Sequence, residues 1–126
     1  MKKARVLLTA PNLLVNEGEL SRIEPPMGLL LFAPLLQQDG HEVLIKDFAL
    51  EGWDTLTPFD LKNKRYIRGS TEEYMAKVIS DFNPDILGIS VLYSSLIDSA
   101  KTVAKIAKKI NPKITVIVGG NCISNS

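Results

Sequence analysis

The sequence predicts a doubly wound α/β domain, a parallel β-sheet with helices on both faces. Three observations carry this. Short, uncharged apolar runs alternate along the chain with longer stretches of 3.6-residue periodicity, the pattern of strand–helix–strand units. The run from Ile86 to Val91 follows a Pro-Asp turn and is too brief for a helix, so it reads as a strand buried on both faces at the centre of a parallel sheet. Every unit from one apolar run to the next is long enough for a right-handed crossover. With 126 residues, 45% of them hydrophobic, the chain can bury a core as one domain spanning 1–126, and its net charge of +1 shows no excess that would recruit nucleic acid or an anionic membrane.

Taken in order, Ala4–Thr9 is the first strand, stopped at Ala10-Pro11-Asn12 because proline donates no ladder bond and restricts the residue before it. A loop to about Pro26 follows, longer than a compact domain normally spends on a connection and therefore a candidate for ligand binding. Met27–Gln38 is a helix behind Pro25-Pro26. Leu29, Phe32, Ala33 and Leu36 form its sheet-facing stripe, Pro34 kinks it, and Gly40 ends it. Glu42–Asp47 is the second strand. From Phe48 to Gly69 the chain reads as an irregular excursion, its aromatics tucked against the core and Lys62, Lys64, Arg65 and Arg68 solvated. Ser70 and Glu73 have capping-box spacing and open a helix over 71–82, with Tyr74, Met75, Val78, Ile79 and Phe82 on one face. After the central strand, Ser95 and Asp98 start a third helix over 95–110. It turns Leu96, Ala100, Val103, Ala107 and Ile110 inward, and Lys105, Lys108 and Lys109 lie near its negative end. Ile114–Val118 is the fourth strand, leading into Gly119-Gly120 where a further helix would be expected.

The lone Cys122 excludes an internal disulfide or a cysteine-rich metal site and fits a reducing compartment. No apolar stretch approaches the roughly 18 residues of a membrane span, and no signal peptide is apparent, so a cytoplasmic location is expected. His41, in a helix-to-strand turn, is read as a solvated or capping residue without chemistry.

If the strand order is flavodoxin-like, 2-1-3-4, the topological switch lies between the first and third strands, and their C-terminal loops open the ligand crevice. Those loops are Thr9–Asn12 and Ser90–Ser95, joined by Gly119-Gly120. They offer backbone and small polar groups, which suit a large ligand lying across the edge. There is no Ser/His/Asp set, no carboxylate pair and no glycine-rich phosphate loop, so no catalytic residue is assigned. A receiver domain would need an aspartate where Ser90 stands and an acidic pair at Pro11-Asn12. A flavodoxin would need a Ser/Thr-rich first loop, which Ala10–Val15 is not.

At this edge the residues reach a resemblance. Flavodoxin-like cobalamin-binding domains carry D-x-H-x-x-G after the first strand, S-x-L after the third and G-G after the fourth. Two of these stand here, as Ser90-Val91-Leu92 and Gly119-Gly120. The chain more closely resembles the N-terminal cobalamin-binding domain of cobalamin-dependent radical S-adenosylmethionine enzymes. The likeness runs from the V-L-L-x-x-P-N start through Pro25-Pro26-Met27-Gly28-Leu29, Gly40-His41-Glu42-Val43 and Pro84–Ser90 to Asn111–Gly120. It covers nearly all 126 residues.

The resemblance implies cobalamin as cofactor, held by Ala10, Pro11, Asn12, Pro26, Met27, Gly28, Ser90, Val91, Leu92, Tyr93, Gly119, Gly120 and Asn121. The sequence departs from the Asp-x-His mark, reading Thr9-Ala10-Pro11-Asn12-Leu13-Leu14, so no histidine is expected as an axial ligand of the cobalt. In that family the catalytic centre is a separate barrel with a [4Fe-4S] cluster and S-adenosylmethionine, neither bound by this chain. The resemblance thus implies a module of a methyltransferase-like enzyme partnered by a downstream radical domain. The alternative is a flavodoxin-like interaction or regulatory domain without cofactor, docking through the 48–69 excursion.

Overall fold

A computed structural model describes residues 3–18, 27–91 and 97–119. The strands are β1 (Arg5–Ala10), β2 (Leu13–Asn16), β3 (Glu42–Asp47), β4 (Leu56–Asp60), β5 (Arg65–Arg68), β6 (Ile86–Ser90) and β7 (Thr115–Gly119), and the helices are α1 (Met27–Gln38), α2 (Glu72–Phe82) and α3 (Ile97–Ile110). Four strands form one sheet in the order β3-β1-β6-β7, every neighbouring pair parallel. This is the expected 2-1-3-4 order.

The helices divide between the faces as strand alternation requires. Leu7, Leu87 and Ile89 point to one face, where Met75 and Ile79 of α2 and Ala100, Val103 and Ala107 of α3 close the main core over them. Val6 and Leu8 point to the other and pack with Ala33 of α1. Gly88 pairs with Leu8 across the sheet, and a Cβ there would come within 2.9 Å of the Leu8 Cδ2, so its bareness makes room for that side chain. At the N-terminal edge the Arg5 guanidinium lies 4.3 Å from the Phe82 ring centre and donates to the Phe82 carbonyl (2.7 Å). It also pairs with Glu42.

The helix ends follow local chemistry. Pro34 lies inside α1, and Gly40 beyond it takes φ +88°, a conformation that costs glycine little. The cap of α2 is Thr71, whose hydroxyl accepts from Tyr74 N (3.2 Å), and not the expected Ser70. The Ser70 hydroxyl instead donates to the Glu51 carbonyl (2.6 Å), a partner far away in sequence. Ile110, expected inward, is 38% exposed at the last turn of α3. Ser95 and Leu96 lie outside the described residues.

Both stretches expected to be irregular contain strands. β2 pairs antiparallel with β5, and β5 with β4, giving a separate three-stranded sheet in the order β2-β5-β4. Its strands are short, and β4 carries Pro58 and a register shift, so none presents a long alternating run that local reading detects. Pairing partners from opposite ends of two loops make the sheet.

Candidate functional site

β1 and β6 are neighbours whose outgoing helices pack on opposite faces, α1 on one and α3 on the other. Their C-terminal ends therefore bound a crevice at a topological switch point, where open α/β sheets take ligands. Three adjacent strand ends meet there. Ser90 stands opposite Gly119 in register, and the Val91 N–H donates to the Gly119 carbonyl (2.8 Å), tying the ends of β6 and β7 together. Ala10 and Ser90 are half-buried. Gly119 is exposed, and a Cβ built on it would meet no heavy atom within 4 Å. The edge is thus open at the Gly119 backbone, with the small side chains of Ser90 and Ala10 on the next two strands.

Two other expected site residues are packed into the fold. Pro11 is fully buried and Asn12 is 4% exposed. The Asn12 amide donates to the Ser70 carbonyl (3.0 Å), while Ser70 N donates to the Phe48 carbonyl (2.7 Å). These bonds knit together the chain leaving β1, β3 and β5. Gly69 completes the knot with φ +118°; a Cβ there would lie 2.5 Å from the Phe48 carbonyl oxygen, so only glycine fits without displacement. Val91 is buried. Met27 and Gly28 fall in the first turn of α1. Pro26, Leu92, Tyr93, Gly120 and Asn121 lie outside the described residues.

Two contributions go beyond the sequence reading. Thr9, expected in a crevice loop, is the last buried residue before the end of β1, its hydroxyl 3.4 Å from the Gly88 carbonyl. The antiparallel sheet hangs from the same edge, since β2 leaves β1 through Pro11-Asn12 alone. One of its sides forms a cleft of about 490 Å³ lined by Val15, Asn16, Glu17, Gly18, Leu56, Tyr66 and Arg68. The Arg68 guanidinium sits 4.9 Å from the Trp53 ring centre and donates to the Trp53 carbonyl (2.6 Å). Phe59, expected to tuck inward, is 56% exposed and faces Arg65. The available signal was the β-prone pair Tyr66-Ile67 in β5, too short to declare a strand.

Charge at this end of the sheet is local. Lys46, opposite Thr9 in register, binds Glu51 (3.1 Å). The hydrogen bond it donates to the Glu51 carboxylate holds the Lys46 ammonium above the ordinary 10.5, against the opposing effect of burial. Among the described residues no three His, Cys, Asp or Glu side chains gather as metal ligands. His41 lies at the opposite edge of the sheet, where its Nδ1 accepts from Ala4 N (3.0 Å), just ahead of β1.

A family model described as the B12 binding domain matches residues 15–126. The chain belongs to the B12-binding domain family. This B12-binding domain is 31% identical over 116 residues to a cytidylyl-2-hydroxyethylphosphonate methyltransferase of Streptomyces wedmorensis, covering 92% of the chain and 22% of that protein. It is 36% identical over 124 residues to an uncharacterized methyltransferase, PH0819, of Pyrococcus horikoshii, covering 95% of the chain and again 22% of the relative. The B12-binding domain therefore spans about a fifth of the length of these curated relatives. Among the described residues no helix is long and apolar enough to cross a membrane.

The residues at the switch point fit cobalamin. A large cofactor needs close approach to backbone, and Gly119 leaves that space open beside Ser90, with the small Ala10 one strand further on.

Proposed function

We propose that this B12-binding domain holds cobalamin across the C-terminal edge of the parallel sheet, with part of the cofactor in the crevice between β1 and β6, and presents it to a radical S-adenosylmethionine domain of the same methyltransferase-class enzyme. The observation that carries the reading is the bare backbone of Gly119 opposite Ser90, beside the switch point. When bound, cobalamin supplies a transferable one-carbon group. The chain's own residues supply position. Ala10 and Ser90 line the crevice, and the Val91–Gly119 hydrogen bond ties the bare end of β7 beside Ser90. Pro11 and Asn12 act from beneath, joining the antiparallel sheet to the same edge. Pro26, Met27, Gly28, Leu92, Tyr93, Gly120 and Asn121 are assigned to the same contact surface. The [4Fe-4S] cluster and S-adenosylmethionine belong to the partner domain, and the setting is cytoplasmic.

The test is retention of a chromophore. The protein is mixed with hydroxocobalamin and desalted, and the visible spectrum of the protein fraction is recorded. A red fraction in stoichiometric amount is expected; a colourless one would favour the interaction-domain reading, for which exposed Leu56, Phe59 and Leu61 beside Lys62, Lys64 and Arg65 would be the docking face. Because His41 is tied to Ala4 at the far edge, the paramagnetic resonance spectrum of the cob(II)alamin form should be the same in wild type and His41→Ala. Axial-nitrogen coupling lost in the variant would overturn that placement.

A further inference from the structure

In a sheet, residues directly opposite in register, and residues two apart on one strand, point to the same side. Arg68 stands between Leu13 and Leu56, and Tyr66 between Val15 and Pro58, so these six share one face of the antiparallel sheet. Val15, Leu56, Tyr66 and Arg68 of that face line the cleft of about 490 Å³, with Glu17 and Gly18 beyond the end of β2. Small-molecule sites have this size, and they combine an apolar and aromatic wall with a few placed polar or charged groups.

Arg68 is a cation without a counter-charge. Its guanidinium is held from one side by the Trp53 ring and carbonyl, yet among the described residues the ion pairs are Arg5–Glu42 and Lys46–Glu51, and no carboxylate pairs with Arg68. Its Nε is buried and has no hydrogen-bond partner among the described residues. The residues opposite it on both neighbouring strands are leucines, whose side chains accept no hydrogen bond. Glu17 does not fill the gap, since it lies further along the chain from Leu13 by roughly 13 Å, at about 3.3 Å per residue. Charges withdrawn from water are normally paired, and a guanidinium fixed by stacking presents its remaining donors in a set direction.

We propose that this cleft is a binding site for a small organic anion, a carboxylate or a phosphate monoester with an apolar body. The anionic group pairs with Arg68, and the body lies on Val15, Leu56 and Tyr66. Arg68 is the last residue of β5 and leads directly into Gly69 and Ser70, so the charged end of the cleft is the end that Asn12 ties to the crevice edge. The anion is thus held beside the crevice but on a different sheet. The inference rests on the antiparallel sheet alone and not on the cofactor.

A purely structural Arg68, fastening Trp53 to β5, predicts no such binding, so the test leaves Arg68 in place. The protein is titrated with benzoate, with phenyl phosphate and with the neutral benzyl alcohol, and backbone amide chemical shifts are followed. Saturable shifts at Val15, Leu56, Tyr66 and Arg68 are expected for the anions, with benzyl alcohol at least ~10-fold weaker because it cannot pair with the guanidinium. The tighter anion identifies the group the site is built for. Leu56 is 48% exposed and directly opposite Arg68, so Leu56→Glu sets a carboxylate beside the guanidinium and should weaken anion binding at least ~10-fold. Leu56→Gln, uncharged and of similar size, should cost far less, and thermal melts of both variants check folding. The comparison with benzyl alcohol needs no variant. Absence of shifts at the cleft with either anion, equal affinity for benzyl alcohol, or undiminished binding by a folded Leu56→Glu protein would overturn the proposal. So would cleft shifts abolished by bound hydroxocobalamin, which would make the cleft a part of the cofactor's own site. A protein that retains no cobalamin and yet binds benzoate at the cleft would overturn the functional reading and leave this one standing.

Discussion

Replacing Gly119 by valine separates the cost of binding from the cost of folding. In the free protein the substitution should be harmless, because a Cβ at this position meets nothing within 4 Å and the residue is not in the left-handed region. Glycine within a strand costs roughly 0.5–1 kcal/mol relative to a residue with a side chain, so Gly119→Val should raise stability slightly. In the complex the same methyl groups occupy the space through which the cofactor approaches the backbone. Forcing atoms into a filled site typically costs about 1–3 kcal/mol, which corresponds to a Kd weakened about 5- to 150-fold. The assay is titration of hydroxocobalamin by visible absorbance, with a urea melt of both proteins as control. A folded variant with unchanged affinity would refute the placement of the cofactor over Gly119. A variant destabilised by more than about 1 kcal/mol would refute the claim of open space.

Three further outcomes are expected. Asn12→Ala removes the donor to the Ser70 carbonyl inside the buried knot and should destabilise the protein by about 1–3 kcal/mol, read as a lowered urea midpoint; an unchanged midpoint would show that the knot does not hold the two sheets together. Gly69→Ala should cost at least as much, about 1–3 kcal/mol by thermal melt, since φ +118° strains any side chain and the added Cβ is driven against the Phe48 carbonyl. For pH, the ammonium of Lys46 titrates above its ordinary 10.5 in the folded state because of Glu51. A raised folded pKa contributes stability that is fully present below the unfolded value and lost as pH rises through the folded one. Wild type should therefore lose stability above about pH 10.5 more steeply than Lys46→Met; parallel alkaline melts for the two would count against the Lys46–Glu51 bond.

Much of the parallel sheet was legible because each of its elements declares itself locally. Four apolar runs with no charge at their centres, Gly40 closing α1, and the periodic face of Met75 and Ile79 depend only on residues near one another in the chain. The strand order was taken as flavodoxin-like, and the switch point followed from that order. Ser90 and Gly119 were reachable in this way, as ends of their own strands. The antiparallel sheet was not. Leu13–Asn16 and Leu56–Asp60 become strands only because Arg65–Arg68 lies between them, and a pairing of three short segments from two distant loops leaves no periodic trace in any one of them. The same holds for Ser70. Its spacing to Glu73 suits a helix cap, yet its hydroxyl reaches the Glu51 carbonyl, a partner that only the assembled fold brings near, and Thr71 caps the helix instead. What the sequence determined alone was periodicity, capping and the polarity of strand ends, all of which act over a few residues. Tertiary structure decided which buried polar groups find each other, because an unmet N–H or C=O in the interior costs more than a local propensity can supply. Asn12, Ser70 and Phe48 meet for that reason, and their meeting sets the second sheet beside the crevice.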